Sequence, residues 1–156
     1  METREDATSV TRTLPFSTVD HSLARKYLDK AIRFHSDAQK MAELMDEFSG
    51  NGVAVLCVHA AIAYGDAIGI LAAGKNSKSG DHRAAAAFLA CVVPIRTSED
   101  KAAMRAFQSV LNRKDEVSYA DDILDARAAA ALLEGLGRFA LWADKTFMDI
   151  QRRISR

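Results

Sequence analysis

The sequence predicts an all-α protein, an up-and-down four-helix bundle with one additional short helix. Only two Pro and eight Gly occur in 156 residues, and 49% of the residues are hydrophobic, which favours long helices around a sizeable core. Apolar residues recur at alternating steps of three and four, which is the helical period. No stretch alternates with the two-residue period of a strand, so we expect no sheet.

The central element is predicted to be a helix over Val53–Ala73, which contains a single charged residue, Asp66, and apolar residues on every face. That pattern is typical of a helix buried on all sides. Its length would also suit a membrane span, but a carboxylate in hydrocarbon costs about 2.5–3.5 kcal/mol on insertion scales. The neighbouring helices also carry apolar stripes that need a partner. We therefore predict a core helix and no membrane association.

The first 19 residues are polar and aperiodic, and we expect 1–19 to form a flexible arm and 20–156 a single helical domain. The N-terminus lacks the apolar segment of a signal peptide, which indicates a cytoplasmic protein. Cys57 and Cys91 both lie in apolar helical runs, and we expect both to be buried free thiols.

The first long helix is predicted to begin at a cap formed by Asp20 or Ser22, and its apolar stripe extends from Leu23 to Phe48. The Ser-Gly-Asn-Gly run that follows predicts a short connection. Within it, Gly50 is expected to end the helix in the left-handed conformation. A short loop makes the central helix the antiparallel neighbour of the first.

The second half of the chain predicts a broken third helix and a long final one. The third begins near His82 and is interrupted at Pro94, since proline lacks the N–H that a helix interior needs. Helix then resumes at Thr97. A charged connector precedes the final helix, which is expected to begin at a cap formed by Asp121 or Asp122.

Charge and motif content exclude several functional classes. Lys plus Arg and Asp plus Glu both number 21, so no net field attracts nucleic acid or anionic lipid. The sequence has no Gly-rich phosphate loop, no nucleophile with an adjacent base and no metal-ligand spacing. We therefore expect no catalytic residues, no metal, no cofactor and no nucleic-acid partner.

A resemblance to a known family depends on the order of several residues along the chain. These are Tyr64 in the apolar second helix, the loop residues Lys78, Ser79 and His82, and then Arg113 and Tyr119 before the Ala-rich last helix. From about residue 53 to 147 the chain resembles the HEPN superfamily. The resemblance implies a bundle of four to five helices, usually dimeric. Its members are metal-independent RNases, partners of nucleotidyltransferases in toxin–antitoxin pairs, or non-catalytic binding modules.

The RNase members of that family need an Arg and a His separated by four to six residues. The cation holds the scissile phosphate, and the imidazole moves a proton near neutral pH. Where that His belongs, Arg113 is followed by Ser118, Tyr119 and Ala120, and the phenol of tyrosine titrates near 10. The favoured hypothesis is a non-catalytic module that binds a partner protein, such as a nucleotidyltransferase, or a nucleotide-containing ligand. The alternatives are an HEPN-type RNase or toxin with an altered site, and a helical bundle of unrelated function.

Candidate ligand-binding residues lie on the central helix and in the later loops. His59 and Asp66 are seven residues apart and share one face, either as buried polar groups satisfied by other helices or as a polar pocket. Arg113 and Tyr119 form either a structural clasp or an anion site. One loop carries a further set that is either solvated or anion-binding: Lys75, Lys78, His82 and Arg83.

The final helix carries a second apolar row beside its core stripe. The row steps by three, four and three residues and comprises Leu132, Gly135, Phe139 and Trp142. A helix with two apolar rows has more apolar surface than one bundle contact needs. We therefore expect a homodimer that uses this row, the alternative being a final helix covered on both sides by its own chain.

Overall fold

The computed structural model describes residues 16–44, 46, 50–77, 82–119 and 123–156, and these are mostly helical, as predicted. In chain order the elements are β1 (Phe16–Thr18), a 3₁₀ turn (His21–Leu23), α1 (Ala24–Glu43), α2 (Gly50–Ala73), β2 (Lys75–Ser77), α3 (His82–Val92), α4 (Ser98–Asn112), α5 (Lys114–Tyr119) and α6 (Ala126–Ile154).

Helix α2 is the centre of the molecule, as its sequence predicts. It packs against α1, α3, α4, α5 and α6, and its buried residues lie on all of its faces. Most of them are small, which allows several helices to approach one axis. Among the described residues α2 is also the one helix long and apolar enough to cross a membrane, but 72% of its most apolar window is buried inside the domain.

A small antiparallel sheet joins the start of the chain to the end of α2. Phe16 pairs with Ser77 and Thr18 with Lys75, while the Val19 N–H donates to the Gly74 carbonyl at 2.7 Å. The expectation of no sheet is therefore wrong, because three-residue strands are too short to show a two-residue period. The predicted boundary at residue 20 is also too late, since β1 lies within the expected arm and is paired with the domain.

The turn between α2 and β2 depends on a glycine at its tightest point. Gly74 has φ 64° and its N–H donates to the Ile70 carbonyl at 2.9 Å, which ends α2 as predicted. A left-handed residue at this position is favourable only for glycine and a few others.

Gly50 has a different role from the one predicted. It is the first residue of α2, it does not have a positive φ, and α1 ends earlier, at Glu43. A Cβ at Gly50 would overlap the Leu124 carbonyl oxygen and lie 2.6 Å from that of Asp125. This glycine therefore allows the start of α2 to lie directly against the backbone that precedes α6.

The helix breaks in the second half follow the local chemistry. Pro94 lies just beyond the end of α3, as predicted, and α4 begins with a capping box between Thr97 and Asp100. Helix α6 is capped by Asp125, whose carboxylate accepts the Ala128 N–H at 2.8 Å. The predicted caps, Asp121 and Asp122, lie outside the described residues and precede the helix by too many positions to cap it.

The second apolar row of α6 is interior, so its assignment as an exposed dimer surface is wrong. Leu132, Phe139 and Trp142 are at most 6% exposed, and Gly135 is buried against Val110. Helix α4 covers this row because α6 packs between α2 and α4. The row is thus covered by the protomer's own chain, which is the alternative stated above.

The two cysteines differ in exposure. Cys57 is buried in α2, and burial raises the pKa of its thiol to about 12. Cys91 is exposed near the end of α3, so the expectation that both are buried is wrong. Helix α3 is too rich in alanine for its apolar run to indicate which face is covered.

Candidate functional site

A cleft of about 630 Å³, here called the elbow cleft, lies at the bend between α3 and α4. Its walls are the end of α2, the α3–α4 connection and the last turns of α6. The lining residues are Ala72, Val92, Val93, Pro94, Arg96, Thr97, Asp100, Thr146, Asp149, Ile150, Arg153 and Ile154.

The elbow is held in shape by Asp100. One carboxylate oxygen accepts the Arg96 and Thr97 N–H groups at 3.0 and 2.9 Å, and the other accepts the Trp142 indole N–H at 2.9 Å. The Thr97 hydroxyl in turn accepts the Asp100 N–H at 3.0 Å. The hydrogen bonds from the Thr97 N–H, Trp142 and the Arg96 N–H hold the pKa of Asp100 well below its usual range. The carboxylate thus ties α4 to α6 and sets one wall of the cleft.

The charged side chains that line the cleft differ in whether they already have a hydrogen-bond or ion-pair partner. Asp100 is fully engaged, and Asp149 contacts the Arg152 guanidinium at 3.5 Å. Among the described residues, neither Arg96 nor Arg153 forms an ion pair. Two arginines without an ion pair among the described residues therefore line the cleft beside an aliphatic wall.

Asp66 is buried in α2 and fastens β2 to it. Its Oδ1 accepts the Ser77 N–H at 3.1 Å and the Ser77 hydroxyl at 2.9 Å. Burial raises the pKa of the Asp66 carboxyl, against the opposing effect of these hydrogen bonds. The adjacent space is only about 10 Å³, room for about one water molecule at most. Asp66 is thus placed as a structural group rather than in a ligand-sized pocket.

His59 does not share the environment of Asp66. It is exposed, and its ring centroid lies 5.7 Å from that of Phe34 on α1. Seven residues put both side chains on one face of α2, but two turns apart, and His59 is exposed whereas Asp66 is buried. On α6, the Glu134 carboxylate pairs with the Arg138 guanidinium at 3.0 Å on the surface.

The remaining predicted site residues are not brought together by the described structure. The Arg113 Nε lies 2.9 Å from Glu116, one turn away, at the junction of α4 and α5. Lys75 is exposed on β2. Lys78 and the side chains of Tyr119, His82 and Arg83 lie outside what the structure describes.

The sequence indicates one part of the elbow cleft but not the rest. Pro94 followed by the Thr97–Asp100 capping box indicates a bend between two helices. Arg153 lies in the last turn of α6. It lines the same cleft as Arg96, far away in sequence, because of packing that no local pattern encodes.

Removing the charge of Asp100 is expected to destabilise the protein. In Asp100→Asn one acceptor oxygen becomes a donor that faces other donors, and we expect a loss of about 1–2 kcal/mol at pH 7. Because folding lowers the pKa of this carboxyl, the unfolded chain takes up its proton first. The stabilisation is therefore present above pH 4 or so and is lost as the pH falls below that value.

Urea denaturation of Asp100→Asn and the parent at pH 7 and pH 3 measures this effect. The difference in unfolding free energy should be large at pH 7 and should shrink at pH 3. Asp37→Asn, an exposed carboxylate on α1, is the matched control and should differ little from the parent at either pH. An Asp100→Asn difference that stays constant between the two pH values would contradict the proposed role of the charge.

Comparisons of this chain with protein-family models, with curated proteins and with solved structures gave no match.

Proposed function

We propose that this chain is a cytoplasmic, non-catalytic binding module with an HEPN-like four-helix arrangement, and that it holds an acidic segment of a partner protein in the elbow cleft. The observation that carries the proposal is the pair of guanidinium groups, Arg96 and Arg153, which have no ion pair among the described residues and line a cleft with an aliphatic wall. A nucleotidyltransferase is the partner class that the HEPN resemblance implies.

The chemistry of the cleft favours a peptide that carries both carboxylates and aliphatic side chains. Guanidinium groups bind carboxylates through paired charge-assisted hydrogen bonds. Val92, Pro94 and Ile150 offer apolar surface for a Leu or Val side chain. The volume of about 630 Å³ lies within the range of known ligand sites.

The phosphates of a nucleotide-containing ligand match the same arginines, but its base does not match the aliphatic walls of the cleft. Proteins that hold unpaired bases commonly stack them on aromatic side chains. The residues that line the elbow cleft include no aromatic ring. An acidic peptide is therefore the better match, and nucleotide binding becomes one outcome of the test.

The titratable groups of the cleft support binding over catalysis. Asp100 accepts three hydrogen bonds, which leaves its carboxylate a weak base. Asp149 is next to Arg152, and the cleft lining contains no imidazole. General acid–base chemistry near neutral pH depends on a group whose pKa lies close to that pH.

Fluorescence anisotropy with a labelled peptide of alternating Leu and Glu tests the proposal. We expect it to bind, and a matched Leu/Lys peptide to bind more weakly or not at all. Arg96→Ala and Arg153→Ala should each weaken binding about tenfold, since a hydrogen bond to a charged group contributes about 1.5–3 kcal/mol. Arg105→Ala, an exposed arginine on α4 outside the elbow cleft, is the control and should leave affinity unchanged.

Three results would overturn this proposal. Peptide affinity that is insensitive to both cleft variants would place binding elsewhere. Binding of AMP, lost in Arg96→Ala, without peptide binding would favour the nucleotide ligand. Cleavage of single-stranded RNA in EDTA, lost in Arg113→Ala, would favour the RNase alternative.

A further inference from the structure

The outward face of α6 carries a line of apolar and small residues that no other helix of the described structure covers. Leu141 is 76% exposed and Met148 is 43% exposed, and Ala130 and Gly137 complete the line. At 100° per residue all four fall within about 40° around the helix axis. We call these four residues the outer seam; it lies on a different face from the buried row and from the elbow cleft.

Gly137 is not explained by packing within the protomer. A glycine in a helix interior costs about 0.8–1 kcal/mol relative to alanine. A Cβ at Gly137 would meet nothing within 4 Å, whereas one at Gly135 would contact Val110 at 3.6 Å. The space above Gly137 is therefore open on the outer seam, next to the exposed Leu141.

We propose that two copies of this chain form an antiparallel dimer through the outer seam of α6. The spacings along the seam are seven, four and seven residues, which read the same in both directions. A two-fold axis at the level of Phe139 therefore sets Leu141 of each copy over Gly137 of the other. It likewise sets Met148 over Ala130. Each large side chain meets a small one, as a self-complementary interface requires.

The charges beside the outer seam fit the same arrangement. Glu134 and Lys145 lie on one flank of the seam, and in an antiparallel pair equivalent flanks face each other. Glu134 of each copy then lies near Lys145 of the other, in two symmetric pairs. Within the protomer these residues form only exposed ion pairs, with Arg138 at 3.0 Å and with Glu99 at 3.7 Å, which can rearrange.

The size of the seam predicts a weak dimer. Its 18-residue span corresponds to about 27 Å of helix, at 1.5 Å per residue. A single helix face of this length buries less than the roughly 1,200 Å² that stable complexes start from. The same geometry also brings Arg127 near Arg152 of the other copy at each end, which opposes association. We therefore expect a monomer–dimer equilibrium that depends on protein concentration.

Sedimentation equilibrium over a range of protein concentrations measures the association. We expect the full chain to shift from monomer to dimer mass as concentration rises. Leu141→Glu should shift the midpoint upward by at least tenfold. Ile123→Glu, which alters a residue of similar exposure at 69% away from the outer seam, should leave the midpoint unchanged.

A second variant separates interface loss from misfolding. Gly137→Ala should raise the thermal midpoint of the dilute monomer, because its Cβ enters open space. The same methyl group fills the position of the opposing Leu141 and should weaken dimerisation several-fold. Greater stability together with weaker association is a result that a damaged fold would not give.

Charge variants test the antiparallel register. Glu134→Lys should weaken association a few-fold, and adding Lys145→Glu should restore it. Arg127→Glu should strengthen association, since it faces Arg152 of the other copy. A monomer at the highest concentration reached, a dimer that Leu141→Glu does not affect, or a double variant without restoration would each overturn the proposal. Arg96→Ala should not change the mass, so failure of the peptide-binding proposal is distinguishable.

Discussion

Phe139→Ala is expected to lower the free energy of unfolding by about 3–5 kcal/mol, the usual cost of removing a buried aromatic side chain. Phe139 is fully buried, and its ring stacks on Phe107 with centroids 4.3 Å apart. Its ring centroid also lies 5.8 Å from that of Trp142 and 6.3 Å from that of Tyr64, whose ring is nearly perpendicular to it. This side chain joins α2, α4 and α6, so its loss leaves a cavity where three helices meet.

Chemical denaturation monitored by circular dichroism measures the change. Phe139→Leu keeps most of the volume and should cost clearly less than the alanine variant. Leu141→Ala, two positions away and mostly exposed, is the matched control and should change stability by less than about 1 kcal/mol in the monomer. Equal effects of Phe139→Ala and Leu141→Ala would show that the aromatic stack does not support the core.

Gly50→Ala is expected to destabilise the protein by about 2–3 kcal/mol, near the upper part of the range for overpacking. The new methyl group would overlap the Leu124 and Asp125 carbonyl oxygens. Backbone atoms cannot rotate away as a side chain can. The Asn51 side chain also accepts the Leu124 N–H at 2.6 Å, so moving this backbone would break a further contact.

Gly137→Ala provides the opposite control for Gly50→Ala. Both replace a glycine of a helix, but only Gly137 lies in a helix interior, where alanine gains about 0.8–1 kcal/mol of helix propensity. Only at Gly50 would the new methyl group overlap backbone atoms. The thermal midpoints of the two variants, measured on dilute monomers, should therefore move in opposite directions. A Gly50→Ala variant as stable as the parent would show that the start of α2 and the backbone that precedes α6 are not in close contact.

Periodicity predicted the helices but not what each helix contacts. The apolar residues on every face of α2 indicated a core position, because a helix that is apolar all round is buried whichever helices surround it. The second row of α6 is equally apolar whether its partner is α4 of the same chain or another protomer. Helix α4 covers that row, and the exposed apolar residues, Leu141 and Met148, lie on another face.

The role of a glycine was predictable only where the residues adjacent to it in sequence determine that role. Gly74 follows an apolar run and precedes polar residues, and it lies where the predicted central helix ends, with a positive φ. Gly50 has the same local signature, yet its role depends on carbonyl groups of residues more than 70 positions later. The elbow cleft is similar, because Arg96 and Arg153 are separated by the whole of α4 and α5 and nearly all of α6.

The all-round apolar surface of α2 has a consequence for synthesis on the ribosome. When α2 emerges, α1 can cover one of its faces at once, but α6, which covers another, is complete only some 80 residues later. At about 5–20 residues per second that delay amounts to roughly 4–16 s. During this interval the nascent chain exposes an apolar helix of membrane-spanning length, which is the kind of surface that chaperones bind. Slowing translation after residue 73 should therefore raise the aggregated fraction more than slowing it before residue 50.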